Sequence, residues 1–232
     1  MSAPAAGVVL AGGASARMGV AKADIAWGGG TLLSRAVEAL GPAVGRVIVV
    51  RAPAQALPPL PDGVEVTQDA RPGCGPLEGL VAGLGALRPG EDAFVLAVDI
   101  PFAGPELAAT VLAALAPGAD AAVPCADGRP QPLAAAYRAG VAATARDLLG
   151  AGRPRMTDLL DAIRVLWVDA ARLPGGAGAL ANVNTPEELA AARRSAGQAM
   201  REYGTTSPAA TPPGGTNASA SVPVSEVTAW AP

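Results

Sequence analysis

Short apolar runs recur along this chain, and each is separated from the next by an alanine- and leucine-rich stretch. That alternation constrains the fold more than any other feature. Gly7 to Leu10, "RVIVV" (Arg46 to Val50), "VEVTQ" (Val64 to Gln68), "AFVLAV" (Ala93 to Val98) and "VLWV" (Val165 to Val168) read as strands, with "AAVP" and "PLAAAYR" as further candidates. Thr31 to Leu40 predicts a helix with Leu32, Leu33, Ala36, Val37 and Leu40 on one face. Pro76 to Leu87, Pro105 to Leu115, Val141 to Leu149, Thr157 to Ile163 and Pro186 to Arg194 predict the remaining helices. Strands that are apolar on both faces and alternate with helices belong to a mostly parallel central sheet covered on both sides, in a single Rossmann-like α/β domain. In such sheets ligands bind beyond the carboxyl ends of the strands, where the polar loops of this chain fall.

With 232 residues, half of them apolar, the chain can bury one sizeable core. The pattern stops near Gly197. From there to Pro232 the composition is Gly, Pro, Ser, Thr and Ala with little charge, so the reading places a domain at 1–196 and a disordered tail at 197–232. A net charge of −3 without a run of Lys or Arg argues against nucleic acid or an anionic membrane as partner. No apolar stretch approaches the roughly 20 residues of a membrane span. "GVVLAGGASA" mimics a secretory signal, but no Lys or Arg precedes it, so it reads as a buried strand and loop. Two cysteines, Cys74 and Cys125, are too few for a disulfide framework and fit a reduced, cytoplasmic protein.

The chain has no histidine. Ser-His-Asp and Cys-His catalysis are therefore excluded, as is His-ligated zinc. The chemistry left to Lys, Arg, Asp, Glu, backbone amides and a bound ion is the kind governed by positioning and charge neutralisation, with phosphoryl and nucleotidyl transfer the leading examples.

The loop "VVLAGGASARMGVAKAD" (Val8 to Asp24) is the first candidate site. Its glycines at 12, 13 and 19 miss the dinucleotide-binding spacing, and no Gly-Lys-Ser/Thr tripeptide occurs anywhere. On composition alone Gly12 and Gly13 could simply serve a tight turn. Asp99 follows the apolar run "AFVLAV", and an aspartate at a buried strand's end is costly unless paired; a hard cation is a natural partner. Asp69 precedes "RPG" and could equally be a turn residue. In "NTPEEL", Thr185, Pro186 and Glu188 make a helix start with a capping box, which leaves Asn182 and Asn184 unexplained.

Five segments in order, "LAGGASARMG…K", "DARPGCGPLEGL", "LAVDIPF", "QPLAAAYR" and "NVNTPEEL", resemble the signature of the nucleotidyltransferases related to molybdenum cofactor guanylyltransferase, over about residues 5 to 195. The resemblance implies a nucleotidyltransferase fold and transfer of GMP from magnesium-bound GTP to the terminal phosphate of molybdopterin, with release of pyrophosphate. It implies that Leu10, Ala11, Gly12 and Gly13 meet the nucleotide, and that Arg17 and Lys22 lie near the phosphates. It likewise implies that Asp69 binds guanosine beside Gly75, Pro76 and Leu77, and that Asp99 holds Mg2+. Gln131, Asn182 and Asn184 fall on the acceptor side, with Asn184 also a candidate for the metal. Transient contact with molybdenum-insertion or molybdoenzyme-maturation proteins would follow.

The match has departures. Ala21 stands where the family often has Asp, Ile100 replaces the Met of Asp-Met-Pro, Glu78 takes a position more often small, and Val50-Arg51 falls where some members place Asn. None removes a charge the chemistry needs. Two other readings stay open: a cytidylyl- or other NTP-transferase with a different phosphorylated acceptor, and a non-catalytic nucleotide-binding module. The adjacent glycines of "LAGG" resemble the guanylyl branch.

Overall fold

A computed structural model describes residues 5–12, 20–70 and 75–204, with 198–204 as helix backbone only. The first half contains β1 (Ala5–Leu10), β2 (Ala26–Trp27), β3 (Gly30–Thr31), α1 (Leu32–Leu40), β4 (Arg46–Arg51), β5 (Glu65–Gln68), α2 (Pro76–Gly85) and β6 (Asp92–Ala97). The second contains α3 (Pro105–Ala113), β7 (Ala121–Ala126), β8 (Arg129–Pro130), β9 (Ala134–Arg138), α4 (Val141–Gly150), α5 (Met156–Ala162), β10 (Val165–Asp169) and α6 (Pro186–Gly204).

The main sheet has the order β10-β7-β9-β6-β1-β4-β5, with β8 attached to β7. β1 lies between β4 and β6 and is parallel to both, as the alternation of strands and helices predicts. β9 departs from the parallel pattern: it runs antiparallel to β6 and β7. The chain first moves outward from β1 to β4 and β5, then returns across the sheet to β6 on β1's other side. The order therefore reverses at β1, which opens a crevice beyond the carboxyl ends of β1 and β6.

Strand alternation sorts the core into two layers. Val9, Val49, Phe94 and Leu96 point to the face covered by Leu33 of α1, Leu107 of α3 and Leu189 of α6. Val8, Leu10, Ile48, Val50 and Val95 point to the face covered by Leu80 of α2, Leu148 of α4 and Leu159 of α5. Helix starts follow local chemistry. The Thr31 hydroxyl accepts from the Ser34 amide at 3.1 Å, and the Ser34 hydroxyl accepts from the Thr31 amide at 2.9 Å, closing a capping box on α1. α2 and α3 each carry Pro in the first turn. At the amino ends of the strands, Arg46 pairs with Glu91 at 2.7 Å and Arg138 with Asp92 at 2.7 Å. Hydrogen bonding to Arg46 holds the Glu91 carboxyl below its ordinary range, whereas burial pushes that of Asp92 up despite Arg138.

Helix α6 continues past position 196 to Gly204, so the boundary read at Gly197 falls inside a helix. The rest of the tail, 205–232, lies outside the described residues. Among the described residues no helix is long and apolar enough to cross a membrane.

α2 can lie close on the sheet because Gly83 has no side chain. A Cβ there would meet Val8 Cγ1 at 2.4 Å and Val50 Cγ2 at 3.2 Å, and both valines are buried and β-branched. Gly85, in the same helix, faces open space. Gly83→Val is expected to lower unfolding free energy by about 2 kcal/mol or more through overpacking. Gly85→Ala should be neutral or stabilise by up to about 1 kcal/mol. Paired denaturant titrations check both; equal effects would mean that α2 is not held at this distance by Gly83.

Candidate active site

The carboxyl ends of β1 and β6 are tied to one another and to their neighbours by backbone hydrogen bonds. The Val98 amide donates to the Leu10 carbonyl at 3.1 Å, Ala11 to Val50 at 2.9 Å, and Ala97 to Leu133 at 2.8 Å. Between them opens a cavity of about 680 Å³. Leu10, Gly12, Lys22, Val50, Gln55, Asp69, Gly75, Pro76, Gly79, Val98, Asp99 and Leu133 are among the residues that line it.

Lys22 opens a short 3-10 turn whose Ala23 and nearby Ile25 are buried. The Leu32 amide at the start of α1 donates to the Ile25 carbonyl at 2.9 Å and so anchors the segment. Lys22 Nζ then reaches two acceptors: Asp99 Oδ2 at 2.5 Å and Asn184 Oδ1 at 2.7 Å. These partners are 77 and 162 residues away in sequence. Asp99 is held in place on both sides. Ile100 folds back through its amide to Ala97 at 3.2 Å, and the Asp99 carbonyl accepts from Val183 at 2.8 Å. The Arg35 guanidinium donates to the carbonyls of Pro101 and Ala103, fixing the loop that follows.

Asp99 Oδ1 is buried and, among the described residues, has no hydrogen-bond partner. A buried carboxylate oxygen without a partner is expensive, and the amide oxygen of Asn184 lies beside the same ammonium. Two hard oxygen donors suit Mg2+ or Mn2+, which typically take one or two protein carboxylates and complete their shell with substrate phosphates and water. Among the described residues no group of three or more His, Cys, Asp or Glu forms a dedicated metal cage.

A second cavity, of about 500 Å³, is lined by Ala126, Asp127, Arg129, Gln131, Ala177, Leu180, Ala181 and Asn182. Two short segments of the chain serve both cavities. Gln131 lines one and Leu133 the other, while Asn182 lines one and Asn184 reaches the Lys22 ammonium of the other. Tyr137 fixes the first segment: its buried hydroxyl, with a pKa driven up by burial, donates to the Pro132 carbonyl at 2.7 Å. The cap of α6 fixes the second. Glu188 accepts from the Asn184 amide at 2.6 Å and from Thr185 at 3.2 Å, and its own amide donates to Thr185 at 3.2 Å.

The MobA-like NTP transferase domain matches residues 7–165, most of the sheet and both sides of the crevice. The chain belongs to that family. A Mycobacterium tuberculosis H37Rv protein named "Probable molybdenum cofactor guanylyltransferase" is 42% identical over 175 residues, covering 72% of this chain and 86% of that protein. The fold is shared with molybdopterin-guanine dinucleotide biosynthesis protein A from Archaeoglobus fulgidus (TM-score 0.69, 22% identity, 83% of this chain and 99% of that one). It is also shared with a Mycobacterium tuberculosis H37Rv protein crystallised in complex with manganese (TM-score 0.54, 19% identity, 83% and 99%).

For this family member, the structure brings together Leu10, Gly12, Lys22, Asp69, Gly75, Pro76 and Asp99 around the larger cavity. Gln131 and Asn182 stand at the smaller one. Asn184 parts from Asn182 and joins Lys22 and Asp99. Ala11 is buried and contributes backbone, its carbonyl accepting from Gln55 Nε2 at 3.0 Å. Leu77 sends its side chain into the core, not into the cavity, because it faces the sheet from the first turn of α2. Gly13 and Arg17 lie outside the described residues.

Sequence reading missed Gln55, Arg35 and Tyr137. Gln55 latches the loop after β4 to the loop after β1, since it also accepts from the Ala52 amide at 2.9 Å. No local pattern marks it. The β7–β8 hairpin beside the smaller cavity did have a signal: Asp127-Gly128, both with positive φ, is a strong tight-turn dipeptide.

The Lys22–Asp99 contact makes the two side chains energetically dependent. Lys22→Met leaves a largely buried carboxylate without its cation and is expected to destabilise by about 2 kcal/mol. Asp99→Asn should cost less, because Asn184 still accepts from Lys22. The double variant should be more stable than the sum of the single losses by about 1 kcal/mol. Denaturant melts of the four proteins check this; strict additivity would mean the ion pair contributes nothing.

Proposed function

We propose that the chain is a molybdenum cofactor guanylyltransferase, which transfers GMP from Mg-GTP to the terminal phosphate of molybdopterin and releases pyrophosphate. The observation that supports this reading is the contact of Lys22 with Asp99 and Asn184, which joins the larger cavity lined by Lys22 and Asp99 to the segment whose Asn182 lines the smaller cavity with Gln131. Nucleotide in the larger cavity and acceptor in the smaller would bring an acceptor phosphate up to the α-phosphorus at the Lys22 end. The names of relatives such as the M. tuberculosis protein support the same substrates.

The acceptor phosphate oxygen forms the new bond to the α-phosphorus while the bond to the β-phosphate's bridging oxygen breaks. The nucleophile is already an anion, so no general base is needed, and a chain without histidine loses nothing. Gly12 presents backbone without a side chain to the phosphates; a Cβ there would sit 3.3 Å from the Ala52 amide nitrogen. The Lys22 ammonium follows charge onto the leaving pyrophosphate. Asp99 and Asn184 would hold the divalent ion, which when bound neutralises phosphate charge and orients the leaving group. Arg17 is assigned to the phosphates with Lys22, and Gly13 to the nucleotide loop. Gly75 and Pro76 close the base end beside Asp69, with Leu77 contributing backbone. The setting is the cytoplasm, with transient contact to proteins that insert molybdenum or mature molybdoenzymes. The domain closes with α6.

A thermal-shift panel tests the nucleotide assignment. With Mg2+, GTP at about 100 times its Kd should stabilise by about 2.7 kcal/mol and raise Tm by several degrees, whereas CTP and ATP at equal concentration do much less. Equal shifts for CTP would favour the cytidylyl reading. Asn182→Ala should raise the KM for acceptor about tenfold and leave GTP affinity unchanged. A change confined to GTP would place the acceptor elsewhere.

A further inference from the structure

The loop after β4 turns back on itself at Ala52-Pro53-Ala54-Gln55, where the Gln55 amide donates to the Ala52 carbonyl at 3.1 Å. Pro53 followed by a left-handed Ala54 (φ 59) has the form of a type II turn, whose second central position favours glycine. Three contacts fix Gln55 at the end of this turn. Its carbonyl accepts from the Arg51 guanidinium at 2.8 Å. Its side-chain oxygen accepts from the Ala52 amide at 2.9 Å, and its side-chain nitrogen donates to the Ala11 carbonyl at 3.0 Å. One partner can only donate and the other only accept, so the two ends of the side-chain amide are not interchangeable. Gln55 also lines the larger cavity, as Gly12 does.

These contacts decide which way the peptides after β1 face. The Leu10–Ala11 peptide turns its carbonyl to the β6 side, where Val98 donates to it, and its amide to the β4 side, where it donates to Val50. The Ala11–Gly12 peptide is reversed, because Gln55 holds its carbonyl on the β4 side. In a trans peptide the amide points opposite to the carbonyl. The Gly12 N–H is therefore directed to the β6 side, where Asp99 follows the strand and lines the cavity with Lys22. Among the described residues nothing accepts from it. The Ala52 amide, against which Gly12 packs, is already taken by Gln55.

We propose that Gln55 is a positioning residue for the nucleotide: by holding the Ala11 carbonyl it aims the Gly12 N–H at the phosphate chain beside Lys22. This rests on the nucleotide reading of the larger cavity. An N–H that is already oriented meets an anionic oxygen without further ordering, and a hydrogen bond to a charged oxygen is worth more than one to a neutral group. Without the Gln55 donor the Ala11–Gly12 peptide can turn over, which presents a carbonyl oxygen to the phosphates in place of an N–H. Gln55 itself touches no reacting atom. Its effect passes through Gly12 and is felt by the phosphates, not by the nucleoside.

The test is equilibrium binding of GTP with Mg2+, and of guanosine by competition with it, to the full chain as wild type, Gln55→Met and Gln55→Ala. Gln55→Met keeps the length of the side chain and removes both of its hydrogen bonds; Gln55→Ala removes the side chain as well. Both variants should weaken GTP about tenfold and guanosine less than about twofold, because a hydrogen bond to a charged phosphate is lost while contacts to the nucleoside stay. A purely structural role in the loop would weaken GTP and guanosine alike, and that result overturns the proposal. A folded Gln55→Met with wild-type affinity for GTP also overturns it and leaves the nucleotide reading intact. Should one variant not fold, the other decides by the same comparison. Failure of both to fold makes Gln55 a residue of the fold and overturns the proposal. Absence of GTP binding by wild type defeats the nucleotide reading as well.

Discussion

The pairing of β1 with β6, two parallel strands buried on both faces, sets the distances on which the site depends. Its register places Leu10 opposite Ala97, so the residues just beyond, Gly12 on one side and Asp99 on the other, emerge at the same level. Backbone bonds from Val98 to Leu10 and from Val183 to Asp99 extend the tie past the strands to Asn184. A slip of one residue would turn Val8 and Val9 to opposite layers and separate Asp99 from Lys22.

Charge is distributed along the strand axis in a way that follows from this. At the amino ends, acids are matched by arginines, as Glu91 is by Arg46 and Asp92 by Arg138. At the carboxyl ends, two carboxylate oxygens, on Asp69 and Asp99, are left without a partner among the described residues. Carboxylates carrying buried orphan oxygens at opposite parts of one cavity suit a ligand that brings N–H donors at one end and a divalent ion at the other. A nucleoside triphosphate with its metal has that form.

Much of this was legible in the sequence. Continuous apolar runs such as "AFVLAV" become strands, and the capping residues Thr31, Thr185 and Glu188 start helices where local chemistry dictates. Asp99 stands out because an acid ending a buried run needs a reason. What the sequence cannot display is set by tertiary contact. β9 runs antiparallel to β6 and β7, a direction that no local pattern in "AAAYR" marks. The contact of Lys22 with Asn184 spans 162 residues, and Gln55 acts through one amide side chain on two loops. Leu77, placed at the nucleotide by its motif, faces the core because the start of α2 rotates it inward. The helix α6 runs on to Gly204 through "RRSAGQAMREY", where a mixed composition hid its length.

The central claim is that one nucleotide's α-phosphoryl group passes to an acceptor phosphate at Lys22, Asp99 and Asn184. Incubation of the protein with Mg2+, molybdopterin and GTP labelled at the α-phosphorus measures this directly. The account predicts that label moves into a molybdopterin-containing dinucleotide in equal amount to the pyrophosphate released, and that none moves when CTP replaces GTP. Label that remains in GTP, or that appears only as free GMP, would contradict it.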